Sequence, residues 1–258
     1  MRGQNRMGLV WVGVIVALTG AAAKPSWAGE RRFTFSYEAT TSPKGLWEYE
    51  QWVTWQASKG SDAKFDRLDF RHEFEVGLTD QLQLGIYVAD WRYQDGRSVE
   101  NDRVEYRDTA FELIYNLTNP VSDPVGLALY GEVKIGDELF ELEGKFIVQK
   151  DLGPWTLVYN ATLEAEWEGD HYEEDKGAFV QTFGVSYQVR PQFLIGGELL
   201  HEVEFDDWEE AEDHLVYIGP NASYRASKWW VTVTPLFQVT DEDSAADFVT
   251  RLLLGFEF

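Results

Sequence analysis

The sequence predicts an all-β chain that forms a transmembrane, up-and-down antiparallel β-barrel of about 12 strands. Three observations lead to this fold class. Long segments alternate apolar and polar residues with a period of two, which is typical of strands with one face in an apolar environment. The connections between these segments alternate between short turns and longer acidic loops. Beyond the N-terminal region, no apolar run reaches the roughly 18 residues expected of a membrane-spanning helix, which argues against a helical transporter.

The first 28 residues have the features of a secretory signal peptide, which is removed from the mature protein. Arg2 and Arg6 provide a basic start, residues 8–23 form an uncharged apolar stretch, and Ser26-Trp27-Ala28 supplies small residues before the cleavage point. An uncleaved membrane anchor is the alternative, but it would need about 20 apolar residues. We therefore expect residues 1–28 to be a signal peptide and the protein to be exported.

Composition narrows the class of protein further. The 258 residues contain 45 Asp and Glu against 22 Lys and Arg, which gives a net charge of −23. Nucleic-acid binding needs basic patches that neutralise phosphates, so we expect no nucleic-acid partner. The chain has no cysteine, which excludes disulfides, thiolate metal sites and a cysteine nucleophile.

Residues 45–258 are expected to form the barrel. The segment 154–167 shows the alternation most clearly, because from Trp155 onward its odd-numbered residues are all apolar and its even-numbered residues are polar except for Val158. Each segment has about 11 to 14 residues, which suits a tilted membrane strand of about 9 to 11 residues with some overhang. The predicted strands, in chain order, are 45–56, 65–78, 81–93, 104–117, 124–135, 138–149, 154–167, 178–189, 192–205, 214–225, 228–239 and 247–258.

The connections between these strands fall into two alternating sets. Those of one set are mostly tight and contain turn formers, and those of the other are longer on average and strongly acidic. Short turns on one side of a membrane and longer loops on the other are the arrangement of transmembrane barrels. Aromatic residues on the apolar face, such as Trp155 and Trp229 near the short turns and Trp55, Trp91 and Trp167 near the long loops, predict a girdle at each membrane interface.

These features, together with the C-terminal residues, resemble the outer-membrane β-barrel proteins of Gram-negative bacteria, in particular small porin-like barrels. The chain ends in Leu-Gly-Phe-Glu-Phe, with Phe256 and Phe258 two residues apart. The resemblance implies that this pattern is the signal recognised by the barrel-assembly machinery, a partner during biogenesis. It also implies periplasmic turns, acidic outer loops, and contact with outer-membrane lipid and lipopolysaccharide. The resemblance is architectural, and such barrels include channels, lipid-modifying enzymes and proteins of other roles.

Residues 29–44 fit the barrel pattern less well. Phe33, Phe35 and Tyr37 alternate with polar residues, but Pro43-Lys44-Gly45 ends the run. Three placements are open: a periplasmic extension, a segment folded into the lumen, or an extra half strand.

The polar face of each strand is expected to line the lumen, where acidic residues outnumber basic residues by more than two to one. An unpaired ion in a dry lumen would cost several kcal/mol, so the lumen must hold water, ion pairs or both. A water-filled pore with an acidic wall would favour cations. A closed barrel would instead pair these charges across strands, as Arg67 and Arg71 could do with neighbouring acids. The residues expected to favour cations are Glu48, Glu50, Glu73, Glu112, Glu141, Glu143, Glu164, Glu198 and Glu202.

The acidic outer loops offer candidate ligands for a bound Ca²⁺ or Mg²⁺, because carboxylate oxygens suit hard cations. The segment after Asp241 begins like a calcium loop, but it has Ala246 in place of the central glycine and Leu252 at the twelfth position. Solvated loops that keep the rim soluble are the simpler interpretation, and no other cofactor is expected. The candidate ligands are Asp206, Asp207, Glu209, Glu210, Asp241 and Asp243.

A lipid-modifying hydrolase would need a serine beside a histidine at the outer leaflet. His201 is on the lipid-facing side near the outer end of its strand, but neighbouring strands offer no serine of the same parity there. We therefore predict a channel, not an enzyme, that passes small polar solutes passively and favours cations. A closed structural or binding barrel with an ion-paired lumen is the alternative, and the hydrolase is the less favoured one.

Overall fold

The structure, a computed structural model, describes residues 31–97, 104–169, 171–172, 174–206, 208, 210–211 and 214–258. The predicted signal peptide lies outside these residues. Among the described residues there is no helix of the length and apolarity needed to cross a membrane.

A single sheet contains all the strands of the described chain, twelve of them long and one of two residues. The strands are β1 (Trp47–Lys59), β2 (Asp66–Gly77), β3 (Leu82–Asp95), β4 (Val104–Thr118), β5 (Gly126–Gly136), β6 (Leu139–Leu152), β7 (Trp155–Glu168), β8 (Glu174–Arg190), β9 (Phe193–Asp206), β10 (Glu210–Ala211), β11 (Leu215–Arg225), β12 (Trp229–Gln238) and β13 (Ala246–Glu257).

The sheet closes into a barrel because β1 pairs with β13 as well as with β2. All of these pairings are antiparallel, and β8 pairs with β9, so each long strand has a neighbour on both sides. The two-residue β10 pairs with β9 within the loop that leads to β11. The predicted fold class, a closed antiparallel barrel of 12 membrane-length strands, is confirmed. Closure leaves none of the twelve long strands of the described chain at an open edge, which a membrane-spanning sheet requires.

The outer face of the barrel is apolar. Large apolar side chains such as Leu163 (59% exposed) and Phe183 (42% exposed) project from the middle of the strands. Aromatic pairs lie at both strand ends, for example Trp155 with Tyr187 near the short turns and Phe70 stacked on Trp91 near the long loops. Exposed apolar surface on this scale is what a barrel presents to lipid.

Strict alternation fails where β3 and β4 meet. The pairing shifts between Tyr87 and Asp90 and again between Asp90 and Trp91, and Ala89 has a positive φ of 55°. Such β-bulges turn the following side chains to the opposite face of the sheet. As a result Asp90 and Arg92 point into the lumen and Trp91 points outward.

Candidate functional site

Residues 31–44, which we call the luminal segment, lie inside the barrel except for the exposed Pro43 and Lys44 at the end of the segment. Phe33, Thr34, Ser36 and Ala39 are each at most 1% exposed although they belong to no strand. Of the three placements that the sequence leaves open, the structure therefore shows the segment folded into the lumen. A segment in this position takes up part of the interior that a barrel of about 12 strands encloses.

Glu198, on β9, holds the first part of the luminal segment. Its carboxylate accepts hydrogen bonds from the backbone N–H groups of Thr34 (2.8 Å), Phe35 (2.9 Å) and Ser36 (2.8 Å). Thr234 of β12 donates its hydroxyl to the same carboxylate at 2.6 Å. Hydrogen bonds to a charged acceptor are stronger than neutral ones, so this is a firm anchor.

Amide side chains hold the rest of the segment's backbone. Asn160 accepts from Tyr37 N at 2.6 Å and donates to Tyr37 O at 3.0 Å. Gln149 accepts from Ala39 N, and Gln83 accepts from Ser42 N. Extended backbone without a neighbouring strand needs such partners when it is buried. Because Asn and Gln carry both donors and acceptors, they suit this task, and here they come from three different strands.

The segment leaves the lumen at the short-turn end of the barrel. Lys44 forms an isolated parallel bridge with Gly77, the last residue of β2. A Cβ atom at Gly77 would lie 2.2 Å from the Pro43 carbonyl oxygen, so only glycine permits this approach. Its contacts with Gln83 and Gln149, both near short turns, place the end of the segment in the periplasmic half of the lumen. Nearer its start, Phe35 belongs to a buried apolar cluster with Tyr217 and Ala246, close to the outer ends of the strands.

The outer half of the lumen contains a cavity of about 300 Å³, which we call the outer vestibule. Its wall mixes both signs of charge, and several of the charges pair across strands. Arg71 donates to Asp90 at 2.5 Å and to Glu132 at 2.8 Å, and Lys134 bonds Glu141 at 2.6 Å. The charged lining residues are Arg67, Asp69, Arg71, Asp90, Arg92, Arg107, Asp108, Lys134, Glu141, Glu166 and Arg251.

A continuous row of glutamates crosses the lumen wall through direct cross-strand pairs, with one glycine in the series. We call it the glutamate row, and its members in order from β13 to β7 are Glu257, Glu48, Glu75, Gly85, Glu112, Glu132, Glu143 and Glu164. The row starts beside the periplasmic turns, where Glu48 is the second residue of β1, and climbs toward the outer loops. Like charges directly opposite each other destabilise a sheet, so sheet stability alone does not account for this row.

The predicted lumen residues fall into three groups. Glu48, Glu50, Glu73 and Glu112 are fully buried beneath the luminal segment, and none of the four is measurably exposed. Glu198 anchors the luminal segment. The others lie toward the outer half, where Glu141 and Glu143 pair with lysines and Glu164 and Glu202 are partly exposed.

Sequence reasoning missed five charged residues of the lumen wall. Asp90, Arg92, Glu105, Arg107 and Asp108 all lie at or next to the bulges of β3 and β4. The reason is that a period of two assigns each residue a face by parity, and a bulge changes the parity. Neither Ala89 nor the charge-rich ends of the two strands indicates, from the sequence alone, where the register of β3 against β4 shifts.

The candidate metal ligands of the acidic loops form no shared site among the described residues. Asp207 and Glu209 lie outside the described residues, as does the side chain of Glu210. Of the other candidate ligands, Asp206, Asp241 and Asp243 join none of the three-carboxylate groups found among the described residues. Near them, hydrogen bonds donated by the Ser244 backbone N–H and hydroxyl lower the pKa of the exposed Glu242 carboxyl.

His201 has a histidine neighbour. His201 Nε2 lies 2.7 Å from His214 Nδ1, and the two rings are stacked. Phe256 is exposed on the outer face, and Phe258 continues the ladder through a bond from its N–H to Trp47 O at 3.0 Å.

The sequence profile of one protein family matches residues 25–166 and 156–248, which is most of the chain. The chain belongs to the DUF6662 family. This is a family of unknown function, so membership in it does not assign an activity to the protein. Comparison with curated proteins gave no match.

Solved structures with the same fold are outer-membrane proteins. An outer membrane channel from Pseudomonas putida F1 superposes with a TM-score of 0.67 at 12% identity, covering 88% of this chain and 100% of the channel. The NanC porin superposes with a TM-score of 0.56 at 8% identity, covering 83% of this chain and 100% of the porin. At these identities the likeness shows the fold, which is that of an outer-membrane β-barrel.

Proposed function

We propose that this DUF6662 protein is a gated outer-membrane channel for small polar solutes that favours cations. The luminal segment closes it, and passage requires that segment to move. The channel is not an enzyme in this proposal, and its partners are the solutes, the surrounding lipid and lipopolysaccharide, and the assembly machinery during biogenesis.

The observation that carries the proposal is the glutamate row. It runs along one wall from the periplasmic end of the lumen to Glu132 and Glu143, which pair with Arg71 and Lys134 of the outer vestibule. Carboxylates repeated along a pore favour cations over anions. The bulge residues add Asp90, Glu105 and Asp108 to this face but only Arg92 and Arg107, so the acid excess remains.

The way in which the luminal segment is held supports gating. Its backbone is bound by polar side chains and not by strand pairing, apart from the bridge at Lys44. Water can replace such hydrogen bonds at a net cost of only about 0.5 to 1.5 kcal/mol for each neutral one. The barrel wall would keep its own strand pairing if the segment left the lumen.

A closed barrel without transport is the second candidate. The ion pairs of Arg71 and Lys134, together with the buried luminal segment, favour it. The two candidates differ in what happens when the segment is removed.

The test is current across a planar lipid bilayer under a KCl gradient, with the mature chain compared with a variant that lacks residues 31–43. We expect rare openings for the mature chain and steady, cation-selective conductance for the shortened one. Glu48→Gln with Glu75→Gln in the shortened chain should move the reversal potential toward zero, and Glu204→Gln, a loop-end glutamate outside the row, should move it less. A folded, shortened barrel that passes no current would favour the closed barrel, and anion preference would refute the role of the glutamate row.

A further inference from the structure

Five glutamates meet at the periplasmic end of the lumen, in an arrangement that channel function does not require. Oxygens of Glu48, Glu50 and Glu75 lie within 4.8 Å of one another, and so do oxygens of Glu73, Glu75 and Glu112. Glu75 belongs to both groups. We call these five residues the glutamate cluster.

The cluster is buried, and it holds carboxylate oxygens that no protein group satisfies. Within the described chain, neither oxygen of Glu73 has a hydrogen-bond partner, and Glu48 Oε2, Glu50 Oε1 and Glu112 Oε1 also lack one. Glu73, Glu48, Glu50 and Glu112 are all 0% exposed. Buried carboxylates are normally paired or bound to a metal, because an isolated buried charge is very costly.

In the described chain, direct salt bridges reach one of the five cluster carboxylates. Among the described residues, the one salt bridge to the cluster joins Arg31 of the luminal segment to Glu50, at 3.7 Å. The hydrogen bonds to the cluster come from neutral donors: Trp230 Nε1 to Glu48 at 2.7 Å, Trp52 Nε1 to Glu50 at 2.8 Å, and two hydroxyls to Glu112, from Tyr87 at 2.7 Å and Tyr37 at 3.4 Å. These donors orient three of the carboxylates without neutralising them.

A glycine accommodates the Glu73 carboxylate, and a small cavity reaches the cluster at Glu75. Gly85 takes the place of a glutamate in the glutamate row, and a Cβ atom there would lie 2.5 Å from Glu73 Oε1. A cavity of about 30 Å³, lined in part by Arg31, Glu75 and Gln83, reaches the cluster from the luminal segment. A space of this size holds a water molecule or a small ion.

From these observations we propose that the glutamate cluster binds a hard divalent cation, Ca²⁺ or Mg²⁺, with Glu73, Glu75 and Glu112 as its main ligands. Ca²⁺ binds carboxylate oxygens at about 2.3 to 2.6 Å, so ligand oxygens within 4.8 Å of one another can share one ion. Glu48 and Glu50 complete the site or hold a second ion that Glu75 bridges. The bound cation neutralises the wall against which Arg31 and Tyr37 of the luminal segment pack. This site does not depend on whether the barrel conducts.

Terbium luminescence tests the proposal directly, because Tb³⁺ takes oxygen ligands like those of Ca²⁺ and is sensitised by nearby Trp and Tyr side chains. Mature protein refolded in detergent with the ion present is titrated with Tb³⁺, and Ca²⁺ or Mg²⁺ is then added as competitor. Trp52, Trp230 and Tyr87 bond to the cluster, so an ion there should give strong sensitised emission.

The decisive variant is Glu73→Gln, because its side chain makes no hydrogen bond that the amide would lose. We expect its affinity for Tb³⁺ and Ca²⁺ to fall at least tenfold, with Glu204→Gln, a loop-end glutamate on β9, unchanged. Glu75→Gln is the second variant should the first fold poorly, and the heat-dependent gel shift of barrels reports folding for each. Ca²⁺ should also raise the unfolding temperature of the wild type above its value in EDTA, and not that of Glu73→Gln.

Two results would overturn the proposal. Equal Tb³⁺ binding by the wild type and both variants would place any bound ion in the outer loops. An unfolding temperature unaffected by Ca²⁺ and Mg²⁺ would mean that the cluster carries protons instead. Neither result bears on conductance, so the cation site and the channel fail or succeed separately.

Discussion

Replacing Glu198 by Gln should release the luminal segment from the lumen. One Glu198 oxygen accepts the amides of Phe35 and Ser36, and the other accepts the amide of Thr34. A Gln side chain has one oxygen and one NH₂ group, so at least one of these three amides loses its acceptor and faces another donor. The side chain also loses its charge, which weakens the bonds that remain.

The magnitude follows from the number of bonds lost. A hydrogen bond to a charged group contributes about 1.5 to 3 kcal/mol, so the loss of one or two such bonds destabilises the docked segment by about 2 to 6 kcal/mol. Since about 1.4 kcal/mol corresponds to a factor of ten, the undocked fraction should rise by about 30-fold to about 20,000-fold. The barrel itself should stay folded because Glu198 takes no part in the strand ladder through its side chain.

Two assays report the undocked fraction. In bilayers, Glu198→Gln should show a much higher open probability than the wild type, and a protease added to the periplasmic side should cut residues 31–44 faster. Glu204→Gln, on the same strand but exposed at its outer end, is the charge-matched control and should behave like the wild type. Wild-type open probability and protease resistance in a folded Glu198→Gln barrel would refute the idea that this carboxylate anchors the segment.

Two further predictions concern the barrel wall and its assembly. Gly255→Ala should destabilise the barrel by about 1 to 3 kcal/mol through overpacking, because the added Cβ would lie 2.3 Å from the Trp230 indole. The control is Gly144→Ala, whose Cβ meets nothing within 4 Å and which should leave stability unchanged. Urea unfolding in detergent should give a lower midpoint for Gly255→Ala than for Gly144→Ala, and equal midpoints would contradict the overpacking. Deleting Phe258 should lower the amount of barrel inserted in cells, as expected of an assembly signal, while refolding in detergent is little changed; normal insertion in cells would remove Phe258 from that role.

Strand positions were largely predictable from the sequence because each residue carries its own preference for lipid or water. The start of β7 at Trp155 and the end of β4 at Thr118 each fall within one residue of the prediction. The start of β8 at Glu174 lies four residues earlier than predicted, since its acidic and glycine-containing beginning resembles a loop in composition. The alternation pattern depends only on neighbouring residues in the sequence, whereas a bulge depends on the pairing with another strand. The sequence therefore did not predict the bulge after Tyr87.

The candidate site depended on information that local pattern does not contain. The sequence identified Glu48, Glu73 and Glu112 as luminal, but not that they converge, because convergence depends on the register between β1, β2, β3 and β4. It likewise marked Glu198 as a lumen acid without showing that three backbone amides bind it.

The sequence by itself thus determined a closed barrel with an apolar outer face and an acidic inner face, because a period of two sorts side chains to the two faces of any strand. Only the tertiary structure decided that residues 31–44 occupy the lumen and that seven glutamates and Gly85, one residue from each of eight adjacent strands, align in one row. Both depend on closure, which brings β13 beside β1 and fixes the register of every pair around the ring.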